Sequence, residues 1–282
     1  MQSNKVSIPD IFKKKANGQP ITMLTAYDFP GAKLVDEAGI DIILVGDSLA
    51  MVVLGHKSTV MVTMDEMLHH CRAVSRGANR AFLVGDMPFL SYQADINDAV
   101  YNAGRFIKEA GMDAVKLEGG KERIPAIQAI SDAGIPVIGH LGLTPQSATK
   151  LGGYRLQAKS AESANILLEN AFAIEEAGCT MLVLEMVPAQ LADFISDKLS
   201  IPTIGIGAGA GCNGQVLVYH DMLGMNNEFQ PKFLKTFASQ HQDTLTALKK
   251  YREEVENGGY PSPEHSFFMT DKEFAAFLAL QK

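Results

Sequence analysis

Four acids, a lysine and a histidine stand where apolar runs of this chain end, and those side-chain types suit metal-assisted chemistry on an anionic substrate. The run Ile42-Ile43-Leu44-Val45 leads through Gly46 into Asp47 and Ser48. Ala81-Phe82-Leu83-Val84 leads through Gly85 into Asp86, Ala114-Val115-Lys116-Leu117 ends in Glu118, and Met181-Leu182-Val183-Leu184 ends in Glu185. A carboxylate at the end of a buried strand is costly unless paired, and a metal ion is one such partner. Acids converging in one mouth repel unless a cation or a proton intervenes. Oxygen donors suit a hard ion, magnesium first, because it uses few protein carboxylates and keeps positions for water and substrate. The competing reading makes each acid the N-cap of the helix after its strand, and it is strongest for Asp86, which Met87-Pro88 follow.

Lys116 and Glu118 are two apart on one strand and share a face. A lysine among carboxylates stays charged and suits an anionic group of the substrate, or else forms a structural ion pair. His140 closes the run Pro136-Val137-Ile138-Gly139 as a proton carrier, an orienting donor or a hydrogen-bonded core residue. Ser48 either binds a substrate carboxylate or caps the next helix. His69-His70 are adjacent on a helix, point apart, and do not make a metal pair. The glycine-rich segment from Gly205 to Gly211 is a weak dinucleotide signal and reads as a loop that lets a ligand approach the backbone. Cys71, Cys179 and Cys212 are widely spaced and odd in number, which fits inert reduced thiols and neither a disulfide framework nor a zinc site.

The elements that must position these groups follow from a recurring tag. Glu37-Ala38-Gly39, Glu109-Ala110-Gly111, Asp132-Ala133-Gly134 and Glu176-Ala177-Gly178 each close a helix just before a buried strand. Strands are expected near 21, 41, 81, 113, 136, 180, 202 and 216, alternating with helices that include 31–38, 95–110, 163–177 and a long one over 232–257. Eight strand–helix units predict a parallel sheet closed into an α/β barrel, with an open doubly wound sheet as the alternative; either way the site lies at the carboxyl ends of the strands. With no linker or low-complexity segment, residues 1–282 read as a single barrel domain with a short N-terminal helix and a C-terminal helical tail from Tyr260, which packs on the barrel or on a neighbouring subunit.

Composition narrows the partners. At 46% hydrophobic and 20% charged the chain can bury a substantial core, and a net charge of −7 argues against nucleic acid. No secretory signal or membrane-length apolar run is evident, so a soluble, cytoplasmic protein is expected.

Taken together and in order, the motifs resemble one family. They are Thr25-Ala26-Tyr27-Asp28, Val45-Gly46-Asp47-Ser48-Leu49, Asp86-Met87-Pro88-Phe89, Val115-Lys116-Leu117-Glu118-Gly119-Gly120, Gly139-His140-Leu141-Gly142-Leu143-Thr144-Pro145-Gln146, Leu184-Glu185 with Val187-Pro188, Gly205-Ile206-Gly207-Ala208-Gly209 and Glu264-His265-Ser266-Phe267. Over nearly the whole chain the sequence resembles the ketopantoate hydroxymethyltransferases. The resemblance implies a (β/α)8 barrel of the phosphoenolpyruvate-mutase and isocitrate-lyase group. It implies magnesium held by Asp47 and Asp86, with Glu118 reaching it through water, and a 2-oxo acid that chelates the metal with Ser48 and Lys116 at its carboxylate end. Glu185 matches the family's catalytic base, and His140 a site residue. The implied reaction passes through a magnesium-stabilised enolate of 3-methyl-2-oxobutanoate, which takes its carbon from 5,10-methylenetetrahydrofolate, and the implied assembly is a homodecamer. Ala50 and Ala158 stand where glycine is usual and Asn213 where aspartate is common, the latter two bearing on folate-side contacts. The alternatives are another magnesium-dependent C–C lyase or mutase acting on a 2-oxo acid, and a non-catalytic barrel.

Overall fold

The computed structural model describes residues 5–226 and 231–281. Its eight strands are β1 Ile21–Thr25, β2 Ile42–Val45, β3 Phe82–Asp86, β4 Ala114–Glu118, β5 Val137–Gly142, β6 Cys179–Glu185, β7 Thr203–Ile206 and β8 Gly214–Leu217. All neighbours run parallel in sequence order, and β8 pairs with β1 to close the barrel.

Alternation along each strand sorts the apolar side chains into two cores. Ile42, Leu44, Phe82, Val84, Ala114, Ile138, Met181, Val183 and Ile204 fill the barrel. Ile43, Val45, Leu83, Val115 and Leu117 face outward and pack with the surrounding helices. The same inward parity, carried to the carboxyl ends, reaches Asp86, Lys116, Glu118, His140 and Glu185. Gly85 keeps the outward side of β3 thin: a Cβ there would lie 2.4 Å from Cδ1 of Phe106 on helix Ile96–Ala110. That helix is bounded as the sequence predicts, with the Asp95 carboxylate accepting from the N–H groups of Asn97 and Asp98 and with Gly111 left-handed at its end.

The floor of the barrel is closed by helix Ile8–Ala16. Ile11 joins the inner core, Lys14 pairs with Asp41 at 2.6 Å, and Lys15 Nζ donates to the carbonyls of Leu199 (2.7 Å) and Ile201 (2.8 Å). Asn213 belongs to this floor. Its Oδ1 accepts from Thr203 N at 2.9 Å and its carbonyl from Ile21 N at 2.9 Å, both at strand starts. The expectation that Asn213 bears on folate contacts is therefore corrected, because it lies at the opposite end from the acids.

Two further expectations change, and of the two placements expected for the tail the structure of one chain does not show packing on the barrel. The glycines of the 205–211 loop make room for protein and not for a ligand: added Cβ atoms would meet Ala189 Cβ at 2.4 Å from Gly209, Asp193 Cβ at 2.5 Å from Gly211 and Phe233 Cδ1 at 2.8 Å from Gly207. The long helix covers only Gln240–Glu256, because the preceding backbone bonds elsewhere, Phe237 N to Met222 O (2.7 Å) and Gln240 N to Leu223 O (3.0 Å). The tail helix Asp271–Ala279 buries no residue against the barrel and leaves Phe274, Phe277 and Leu278 exposed. No helix among the described residues is long and apolar enough to cross a membrane. All three cysteines are free, and burial pushes the Cys179 thiol up to about 12.

Ala158 sits at φ 53°, the left-handed region that glycine occupies without strain. That conformation costs an L-residue about 1–2 kcal/mol, against which glycine's greater chain entropy sets about 0.5–1 kcal/mol. Ala158→Gly is expected to raise the calorimetric midpoint by about 1–2 °C; a lower midpoint would show that the Ala158 methyl, which packs against the outer core, outweighs the strain.

Candidate active site

Strand register brings the polar groups into contact. Asp86 on β3 is level with Lys116 on β4, and Lys116 Nζ lies 2.8 Å from Asp86 Oδ1. Glu118 is level with His140 on β5, whose Nδ1 lies 3.4 Å from Glu118 Oε1. Glu185 is level with Gly142, and its Oε2 lies 3.1 Å from His140 Nε2. Gly142, at φ 95°, permits this approach, since a Cβ there would fall 2.2 Å from the Glu185 carbonyl oxygen. Asp47 lies outside the inward parity, in the turn after β2, and its backbone N–H donates to Asp86 Oδ2 at 3.0 Å.

None of Asp47, Asp86 and Glu118 caps a helix. Ser48 precedes the short helix Leu49–Val52 but makes no side-chain cap; its Oγ instead shares a 2.9 Å hydrogen bond with the Tyr27 hydroxyl. Lys116 does form an ion pair, and it does so inside the cluster. His70 is occupied by the Tyr27 carbonyl at 2.6 Å. Among the described residues, no group of three or more His, Cys, Asp or Glu side chains is arranged to hold a metal ion, His69 and His70 included.

Burial dominates the electrostatics. It pushes both Asp47 and Asp86 up to about 6, with Glu118 adding to the rise at Asp47 and Lys116 opposing it at both. Burial disfavours a charge on Lys116, yet Asp86, Glu118 and Asp47 outweigh it and hold the ammonium form. For His140, burial and Lys116 oppose protonation, but Glu118 and Glu185 prevail and raise it to about 9. The two carboxylates on either side of its ring favour the imidazolium form of His140.

These groups open into a cavity of about 990 Å³, whose outer walls include Met51, Tyr154, His220, Phe233 and Leu234. The cluster fits a hard divalent cation. Asp47, Asp86 and Glu118 are all buried and line this one cavity, where Asp86 Oδ1 faces Lys116 Nζ at 2.8 Å and Glu118 Oε1 faces His140 Nδ1 at 3.4 Å, so that three carboxylates share one ammonium and one imidazole. Magnesium takes one or two protein carboxylates and completes its shell with water and substrate.

Sequence reasoning found every acid of the cluster but assigned nothing to Gln146, Tyr92 or Tyr27. Gln146 is 7% exposed, and its side chain donates to Asp47 Oδ2 at 2.9 Å. Its signals were its place soon after the His140 strand end and at the close of the motif from Gly139 to Gln146; its partner is 99 residues away.

A family model described as ketopantoate hydroxymethyltransferase matches residues 5–263. The 3-methyl-2-oxobutanoate hydroxymethyltransferase of Moorella thermoacetica is 57% identical over 94% of this chain and 99% of its own length. That of Syntrophobacter fumaroxidans is 54% identical over 99% of this chain and 98% of its own. Among solved structures, a phosphonopyruvate hydrolase in complex with oxalate and Mg++ is similar with a TM-score of 0.60 and 13% identity, covering 97% of this chain and 95% of that one. A 2,3-dimethylmalate lyase of the PEP mutase/isocitrate lyase superfamily gives 0.58 and 14%, with coverage of 97% and 95%. At such identities the structural likeness shows the fold alone, a closed parallel barrel. Sequence identity and the family match together decide the relationship: the chain belongs to the ketopantoate hydroxymethyltransferase family.

Proposed function

We propose that the protein transfers a hydroxymethyl group from 5,10-methylenetetrahydrofolate to 3-methyl-2-oxobutanoate, water supplying the hydroxyl, to give ketopantoate and tetrahydrofolate. The observation that carries this reading is the convergence of three carboxylates, a paired lysine and a His140–Glu185 contact in one mouth of a chain from this family. Asp47 and Asp86 would hold magnesium, with Glu118 reaching it through a water. The ion supplies Lewis-acid polarisation of the substrate's keto oxygen, which acidifies the neighbouring C3 proton.

The chain's own groups do the rest. Lys116, held as an ammonium, and the Ser48 hydroxyl, steadied by Tyr27, bind the substrate carboxylate. Glu185 is less buried than its neighbours, with its side chain 16% exposed, and it opens toward the cavity to take the C3 proton. His140 fixes the Glu185 carboxylate through the 3.1 Å contact. C3 then bonds to the methylene carbon as one folate C–N bond breaks, and water replaces the second nitrogen, so that ketopantoate keeps the hydroxyl and tetrahydrofolate leaves with both nitrogens protonated, one proton from Glu185 and one from the water. A cavity of about 990 Å³ exceeds what a small oxo acid fills and leaves room for the second substrate. We further propose a cytoplasmic homodecamer, for which the exposed Phe267, Phe268, Phe274 and Phe277 of the tail supply apolar surface.

Turnover of 3-methyl-2-oxobutanoate that depends on methylenetetrahydrofolate tests the reading, and equal turnover without the folate would point to a lyase or mutase instead. Chelation of divalent metal is expected to abolish turnover while circular dichroism stays unchanged; full activity in excess chelator would remove the metal. Because Asp47 and Asp86 are protonated below about 6, protons compete with the cation there. Magnesium affinity measured by calorimetry should be level above pH 7 and fall as pH drops from 6 to 5; affinity that is constant to pH 5 would contradict the ligand assignment.

A further inference from the structure

Each carboxylate proposed to meet the metal is tied down through one oxygen by a donor of the protein. Asp86 Oδ2 accepts from Asp47 N at 3.0 Å, and Oδ1 lies against Lys116. Asp47 Oδ2 accepts from Gln146 Nε2 at 2.9 Å. Glu118 Oε2 accepts from the backbone N–H of Gln146 at 3.0 Å, and Oε1 lies 3.4 Å from His140 Nδ1. One residue thus anchors two of the three acids, from strand ends that are not adjacent in the barrel.

Gln146 cannot do this with its amide reversed. Its second Nε2 donor goes to Met87 O at 2.9 Å, while its Oε1 accepts from the Tyr92 hydroxyl at 2.9 Å and from Gln93 Nε2 at 3.1 Å. Flipping the amide would set oxygen against Asp47 Oδ2 and Met87 O, and nitrogen against the Gln93 amide. The Tyr92 hydroxyl is itself fixed, accepting from Glu118 N at 3.0 Å. Burial keeps that phenol protonated, so it remains a donor. The network therefore joins the ends of β2, β3 and β4 to the segment after β5 with both ends of one primary amide satisfied.

We propose that Gln146 is a positioning residue for the metal site: it orients Asp47 and Glu118 so that one oxygen of each is presented to a divalent cation, and Tyr92 fixes the direction of its amide. The proposal rests on the metal reading above. Partners of this kind commonly contribute a factor of about 10–100 to metal affinity.

The test is Mn2+ binding followed by electron paramagnetic resonance on the purified full chain, with folding checked by circular dichroism. Gln146→Met, similar in length but unable to donate, is expected to bind Mn2+ at least tenfold more weakly, and saturating Mg2+ should restore most of its kcat. Tyr92→Phe, which removes only a hydroxyl, should give a smaller loss in the same direction and guards against a Gln146 variant that does not fold. Affinities of the folded variants within twofold of the parent would overturn the positioning role, as would a kcat loss that saturating Mg2+ leaves untouched. A parent protein that binds no Mn2+ would instead refute the metal reading itself.

Discussion

Glu185→Gln should lower kcat by about a thousandfold, within the usual range for losing a positioned general base, while 3-methyl-2-oxobutanoate still binds. The amide is close to isosteric and can still accept from His140 Nε2, which lies 3.1 Å from Glu185 Oε2. The buried acids, Lys116 and Ser48 are unchanged, so the groups that hold the substrate remain. The effect therefore belongs to kcat, and calorimetry should show oxo-acid affinity within a few-fold of the parent. A variant that keeps more than a tenth of parental kcat would move the base elsewhere. His140 would be the next group to examine, although its position between Glu118 and Glu185 favours the protonated form.

Lys116→Met is the second large effect, and it is expected on stability as well as on catalysis. Lys116 is 4% exposed and Asp86 1%, and they are 2.8 Å apart. Removing one partner of a buried pair typically costs about 3–5 kcal/mol, because the other charge is stranded. Without the ammonium, Asp86 rises further above its unfolded value. A carboxylate whose folded pKa is raised loses stability as pH climbs through that value and regains it as pH falls. The urea midpoint of Lys116→Met in chelator should therefore drop sharply at pH 7.5 and recover in part at pH 5. Magnesium at pH 7.5 should also restore some of it by pairing with Asp86. A midpoint equal to the parent's at pH 7.5 would show that the Asp86 charge is already relieved by another route.

The barrel was legible because buried strands after helix-closing glycines need no long-range information to be seen. The acids were legible for the same reason, since a carboxylate that ends an apolar run is conspicuous wherever it occurs. What stayed hidden depends on contacts between distant segments. Gln146 reaches Asp47 across 99 residues, and no local pattern shows an amide turned back into the barrel mouth. Asn213 was misplaced because a polar residue between two strands can belong to either end of the barrel, and only the Thr203 and Ile21 bonds assign it to the floor. The glycine-rich loop was misread because close backbone approach looks alike whether the visitor is a ligand or the helix Ala189–Lys198. Asp47 is the instructive exception among the acids: it leaves the inward alternation at Gly46, and its backbone N–H, bonded to Asp86, shows why the turn is made.

Glu185 is proposed to remove the C3 proton of an oxo acid bound at a divalent-metal site. Deuterium exchange at C3 of 3-methyl-2-oxobutanoate, followed by proton NMR in D2O without folate, tests it most directly. Parent enzyme with Mg2+ should wash out the C3 signal, and both chelated parent and Glu185→Gln should leave it intact over the same time. Exchange by Glu185→Gln at the parental rate would show that another group takes the proton.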